Sequence, residues 1–221
     1  MHLCPYCHAP LYALADGMRK CSRCKKKVSP KKVAKVLSLI TAFCQHATAS
    51  ETARQLGLSY VSVQRYFNDF RYLCAQICDD EYEARRHIAC DYEEYHYLER
   101  AKRHRKNAVF DAQNFLTFDY DGHIYTIVMP SLHQYRQQFI DDALEPLYLA
   151  EFEKFKRQSR LIKLSSHHNN IVRFWEFFET AIVRYKGIGN ERFPLFLKEL
   201  EFKFNHAQAG QWQLLKEYYY R

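Results

Sequence analysis

Residues 4–24 read CPYCHAPLYALADGMRKCSRC, a cysteine pattern that belongs to metal-held domains. Cys4-Pro5-Tyr6-Cys7 recurs in outline as Cys21-Ser22-Arg23-Cys24. A two-residue gap lets both thiolates of one turn point at a single ion, and two such turns supply the tetrahedral four-cysteine set that structural Zn2+ prefers. With cysteine at all four positions, the expected site is closed and structural rather than catalytic. His8 to Lys20 suits a short hairpin turning near Asp16-Gly17, and His2 and His8 are surplus to the ligand count. So small a head has almost no core, so metal binding would supply most of its folding energy. A redox-active dithiol pair is the competing reading of the same spacing.

A basic block follows. Arg19 to Lys35 contains nine Lys/Arg and no acid, and residues 1–86 carry 14 Lys/Arg against 7 Asp/Glu, while the rest of the chain is nearly balanced. Nucleic-acid phosphate is the commonest partner of such a block, because each neutralised phosphate releases condensed counterions. A solvated, lysine-rich linker would show the same composition. Lys25, Lys26, Lys27 and Lys31 are the candidate phosphate contacts.

Beyond the block, Val33, Val36, Leu37, Ile40, Phe43 and Cys44 follow the spacing of an amphipathic helix. Thr48-Ala-Ser-Glu51 reads as a capping box opening a second helix, with Ala53 and Leu56 as its buried side. Gly57 can supply the positive φ needed to leave that helix. Ser59 caps a third helix predicted to run to about Leu73, with Val63, Phe67 and Phe70 inward and Gln64, Arg65, Asn68 and Arg71 outward. A short helix, a glycine turn and a helix with a polar, basic outer face describe a helix-turn-helix. Its recognition helix would enter the DNA major groove N-terminus first, which makes Tyr60, Ser62, Gln64, Arg65, Asn68 and Arg71 the candidate DNA contacts. A generic helical hairpin with a solvated face is the bland alternative.

Further on, His87 to Asp91 is expected as a buried strand ending in a carboxylate, and Arg100 to Lys106 is a second basic patch. Asn107 to Phe118 and His123 to Met129 are expected as strands around the turn Asp119-Tyr-Asp-Gly122. Leu132 to Phe155 reads as helix broken at Pro146, Ile171 to Tyr185 as a long helix, and Pro194 to Asn205 as another. That order implies an α/β domain whose mixed sheet is covered by helices. The aromatic-rich tail Trp212 to Arg221 reads as a packed terminal helix.

Composition narrows the field. With 48% hydrophobic and 16% aromatic residues in 221, the bulk is globular. No apolar run is long enough to span a bilayer and MHLCPYCH is no secretory signal, so a cytoplasmic location is expected. Cys44, Cys74, Cys78 and Cys90 sit in apolar stretches, where free cysteine acts as a small buried hydrophobe, a reducing-compartment pattern.

The segment His167-His-Asn169-Asn-Ile171-Val-Arg-Phe174-Trp175, then Lys186-Gly-Ile-Gly, then Phe193-Pro-Leu-Phe-Leu-Lys-Glu-Leu-Glu-Phe-Lys-Phe-Asn205 resembles bacterial insertion-sequence transposases. The group in question has an N-terminal zinc ribbon, a helix-turn-helix and an RNase H-like domain bearing three metal-binding acids. The resemblance runs in order along nearly the whole chain. It implies three domains: a zinc ribbon at 1–28, a helix-turn-helix at 32–80, and an RNase H-like mixed sheet with covering helices at 86–221. It also implies double-stranded DNA as partner, with terminal inverted repeats and a homodimer by analogy, and a bacterial, nucleoid-associated setting. The implied activity is DNA strand transfer on Mg2+ ions, which activate the attacking oxygen and stabilise the leaving one.

The acids depart from that pattern. Asp91 matches the first, although the glycines that usually follow are replaced in Asp91-Tyr-Glu-Glu-Tyr-His-Tyr97. Counting back from Phe155 places the second at Ala150, next to Glu151, and the third falls on Val172, which cannot bind a metal. The lysine usual on the same helix face falls on Glu179, and Glu176 lies a full turn from where a ligand is needed. Two readings therefore stand: a transposase-type protein that binds and joins DNA, or a co-opted regulator or subunit of the same lineage that only binds it. Mg2+ is expected only in the first.

Overall fold

The computed structural model describes residues 2–99, 108–130, 170–185 and 187–221. The chain divides into two compact units, Met1–Glu81 together with Lys198–Arg221, and Tyr82–Leu197. Among the described residues it is a mixed α/β protein with six helices and two three-stranded antiparallel sheets.

The first unit opens with β1 (Leu11–Ala13), β2 (Arg19–Cys21) and β3 (Lys27–Val28), paired antiparallel in that order. The β1–β2 link turns at Asp16-Gly17, as expected: Asp16 Oδ1 accepts from the Met18 N–H at 2.9 Å, and Gly17 takes φ 76°. Helix α1 (Pro30–Cys44) starts where Ser29 accepts the Lys32 N–H, with proline at the first helical position, where its missing donor costs nothing. Helix α2 (Ala49–Leu56) carries the complete capping box, with Glu51 N–H to Thr48 Oγ1 at 3.2 Å and Thr48 N–H to Glu51 Oε2 at 2.7 Å. Gly57 closes it at φ 63°, the left-handed region where a Cβ is disfavoured. Leu56, expected inside, is 38% exposed; Thr52 and Ala53 occupy the narrow inner stripe that so short a helix offers.

Helix α3 (Tyr60–Arg85) begins at Ser59, whose hydroxyl accepts the Ser62 N–H, and it runs a dozen residues past its expected end at Leu73. Residues 58–121 contain neither glycine nor proline, and the inner stripe continues as Phe70, Cys74, Ile77 and Cys78, so nothing stops it there. The core of this unit joins Val33, Val36, Ile40 and Phe43 to Val63, Phe67 and Phe70. Into the same core come Phe202, near the end of α5 (Phe193–Asn205), and Leu215 and Tyr220 from α6 (Gln208–Tyr219) and its exit. Within the stretch expected as one domain at 86–221, Lys198–Arg221 groups with the N-terminal residues, and Trp212–Tyr219 is helix.

The second unit holds the sheet β4 (Asp91–Tyr97), β5 (Gln113–Tyr120) and β6 (His123–Val128). The hairpin signal is realised with Asp121 at φ 54° and Gly122 at φ 87°, the two positive dihedrals a type I′ turn requires. Two expected boundaries move. Residues 86–88 are an exposed turn and bend and 89–90 form no strand, so Asp91 opens its strand instead of ending one. A short 3₁₀ turn, Ala108–Asp111, precedes β5 where strand was expected. Helix α4 (Asn170–Ile182) buries Ile171, Phe174, Trp175 and Phe178; Trp175 donates to Thr117 Oγ1 of β5 at 2.9 Å. The helix expected over Leu132–Phe155, the basic patch Arg100–Lys106 and residues His167 to Asn169 lie outside the described residues.

Candidate metal centre and nucleic-acid interface

The two cysteine turns converge. The Sγ atoms of Cys4, Cys7, Cys21 and Cys24 all lie within 4.8 Å of one another, with Cys4–Cys24 at 3.7 Å and Cys7–Cys21 at 3.3 Å. Four thiolates around one ion at Zn–S distances of about 2.3 Å would stand roughly 3.8 Å apart, so the cluster has the dimensions of one tetrahedral ligand shell. Among the described residues no other group of three or more His, Cys, Asp or Glu could hold a metal ion.

Backbone geometry makes the turns twins. His8 follows Cys7 at φ 57° and Lys25 follows Cys24 at φ 61°, so each turn reverses through a left-handed residue that is not glycine. Cys21 Sγ accepts the N–H groups of Arg23 and Cys24, both at 3.4 Å. These donors tune the thiols. The Ala9 N–H draws the Cys7 thiol down to about 6. Burial pushes Cys21 up, but the N–H groups of Cys24 and Arg23 outweigh it and leave that thiol below its usual value. At Cys24 a backbone hydrogen bond at Lys26 lowers the thiol, yet burial and the three neighbouring sulfurs carry it up to about 11. Crowded thiolates of one sign resist ionising together, and a divalent cation removes that conflict. The remaining cysteines behave as core: burial drives Cys44 up to about 11 and raises Cys74 and Cys78 well above the ordinary range, while Cys90 is half-buried.

Most candidate DNA contacts stand on the surface of the first unit. Lys25, Lys26, Lys27 and Lys31 are exposed; Lys25 Nζ donates to the Ser22 carbonyl at 2.5 Å, and Lys26 Nζ sits 4.0 Å over the Tyr6 ring. On α3, Tyr60, Ser62 and Arg65 are exposed, and Gln64 and Asn68 are half-buried. Val61, unremarked in the sequence, is exposed beside them.

Arg71, expected on the outer face of α3, points inward. It is buried, its Nε donates to Glu199 Oε2 at 2.7 Å, and its Nη1 donates to Asn68 Oδ1 at 3.0 Å. Glu199 is itself buried and its other oxygen accepts Lys203 Nζ at 2.6 Å. A guanidinium so enclosed has no face left for a phosphate. A signal was present: Arg71 lies four residues after Phe67 and three before Cys74, on the inner stripe. Glu199 and Lys203 carried no signal, because a charged pair inside a phenylalanine-rich helix reads as its solvated edge.

The positions that matched the acids differ in exposure. Asp91 is exposed and registers opposite Asp119 on β5. Val172 is 2% exposed, whereas Glu176, one turn further along the helix, is exposed. Glu179 accepts the Tyr95 hydroxyl at 2.5 Å. Ala150 and Glu151 lie outside the described residues.

No family model matches this chain, and no solved structure does. It is similar to a curated protein of Haemophilus influenzae described as an uncharacterized transposase-like protein, at 26% identity over 112 residues covering 42% of this chain and 91% of that protein. The likeness supports a relationship to transposases over that part of the chain. Among the described residues no helix is long and apolar enough to cross a membrane.

Proposed function

We propose that this chain is a sequence-specific DNA-binding protein of insertion-sequence transposase lineage, in which DNA recognition is carried by residues 1–80. The observation that carries the reading is the continuity of its parts: a four-cysteine cluster, an exposed basic arm and a helix-turn-helix pattern follow one another and share one compact unit. In this reading Zn2+ is held by Cys4, Cys7, Cys21 and Cys24 and stabilises a ribbon of β1–β3. Lys25, Lys26, Lys27 and Lys31 neutralise phosphates, and Tyr60, Ser62, Gln64, Arg65 and Asn68 meet the major groove. A protein of this kind acts where the bacterial chromosome lies, and paired terminal inverted repeats would call for a homodimer.

An RNase H-like fold for the remainder is proposed from the resemblance and from the order of β4, the β5–β6 hairpin and α4. Strand transfer on Mg2+ is the weaker part of the inheritance. Val172 is sealed in the apolar interior where the lineage places an acid, which favours the binding-only reading.

Fluorescence-anisotropy titration against randomised duplex DNA at several salt concentrations tests binding. The reading predicts affinity that falls steeply with salt, and a loss of sequence preference in Gln64→Ala and Arg65→Ala. Unchanged affinity and preference in both variants would remove α3 as the recognition helix. A Mg2+-dependent joining assay with Asp91→Ala as control separates the two readings: activity abolished by that change would overturn the binding-only one.

A further inference from the structure

Asn68 is a half-buried amide on the helix proposed above to read DNA, and its side chain is not free to turn. Its oxygen is held at 3.0 Å by Nη1 of Arg71, whose Nε is fixed on Glu199 at 2.7 Å, and Glu199 is tied in turn to Lys203 at 2.6 Å. Arg71, Glu199 and Lys203 are all buried. Gln211 of α6 donates to the Lys203 carbonyl at 3.2 Å, and Lys203 Nζ lies 4.3 Å from the centroid of the Phe43 ring on α1. The chain of contacts therefore starts in the core of the first unit and ends on the outer side of α3. Arginine suits this place for a geometric reason: its planar fork holds two acceptors at once, which a lysine ammonium on a flexible stem does not reproduce.

We propose that Glu199 and Arg71 are positioning residues that lock the Asn68 amide for base reading, and that Asn68 recognises an adenine in the major groove. The inference rests on the DNA-binding reading. With one lone pair of Oδ1 occupied by Arg71, the amide cannot flip; its NH2 group is turned away from the guanidinium as a donor, and the second lone pair stays available. Adenine offers the complement, an acceptor at N7 and a donor at N6, and asparagine pairs with both. The energetic reason to spend buried charges here is preorganisation: an amide already held in its reading orientation loses no rotamer freedom on binding.

Selection of binding sites from a randomised duplex library, run on the full zinc-loaded chain, tests the proposal. Wild type enriches a motif containing an adenine whose preference disappears in Asn68→Ala. Arg71→Lys keeps the charge facing Glu199 but gives up the fork, so it loses the same preference, by roughly tenfold, while its melting temperature stays close to that of wild type. In the Asn68→Ala background, Arg71→Lys changes the motif no further. Replacing that adenine by 7-deazaadenine weakens wild-type binding and leaves Asn68→Ala unaffected. If Arg71→Lys retains full preference at the Asn68-dependent position, or if 7-deazaadenine is tolerated by wild type, the proposal is overturned while the DNA-binding reading stands. If wild type enriches no motif at all, the DNA-binding reading itself is overturned. Should Arg71→Lys fail to fold, Glu199→Gln measured against Asn68→Ala/Glu199→Gln poses the same question, and a preference kept by Glu199→Gln overturns the proposal.

Discussion

At the scale of single residues, the cysteines separate cleanly by environment. Cys4, Cys7, Cys21 and Cys24 share a space one ion wide, whereas Cys74 and Cys78 are sealed among Phe70 and Ile77 with thiols held far from ionisation. Cys21→Ser is therefore expected to abolish zinc retention, read by elemental analysis, and to unfold β1–β3, while Cys74→Ala keeps the full metal content at some cost in stability. Thr52 gives a second test. It is wholly buried in α2 and its hydroxyl has no hydrogen-bond partner. Thr52→Val keeps the shape and removes the stranded polar atom, so it should stabilise the protein by about 1 kcal/mol in thermal melting. The convergence of the four cysteines was legible in the sequence because ligand chemistry fixes such spacing. The inward turn of Arg71 was not, because its partner Glu199 lies 128 positions along the chain and only folding brings the two together.

At the scale of elements, the local signals between Thr48 and Ser59 are realised. The capping box at Thr48 and Glu51, the left-handed Gly57 and the Ser59 cap are short-range hydrogen-bond and dihedral requirements, which neighbouring residues settle among themselves. Gly57 has open space around the position a Cβ would take, so the cost of Gly57→Ala is conformational: about 1 kcal/mol, with α2 still formed, by denaturant unfolding and far-ultraviolet circular dichroism. The β5–β6 turn was legible for the same reason, since Asp121-Gly122 sits where two positive φ values are needed. Ends set by the absence of a stop signal were missed. Helix α3 continues past Leu73 because Cys74, Ile77 and Cys78 extend its buried stripe, and Asp91 opens β4 instead of closing a strand because residues 86–90 bury too little to pair.

At the scale of the whole molecule, the last two dozen residues belong with the first eighty-one. Leu215 and Phe202 are wholly buried in the core that also holds Phe43, Phe67 and Phe70, and the Tyr219 ring meets Phe70 edge-on at 5.9 Å. Such closure is invisible to periodicity, which reports that a helix has an apolar face but not which element covers it. Leu215→Ala should cost about 2–5 kcal/mol and destabilise α1 and α3 along with α6, seen as earlier hydrogen exchange in all three; exchange confined to α6 would mean the helix is an appendage. The same closure gives the proposed recognition helix a rigid footing, which is what base reading demands. Photocrosslinking the zinc-loaded chain to selected duplex DNA carrying 5-iododeoxyuridine, with mapping of the joined peptides, shows whether the proposed metal-held head, basic arm and α3 bind DNA. Crosslinks at Tyr60 to Asn68, with the Lys25–Lys31 arm protected from lysine modification, are the predicted result; crosslinks found only within Tyr82–Leu197 would contradict it.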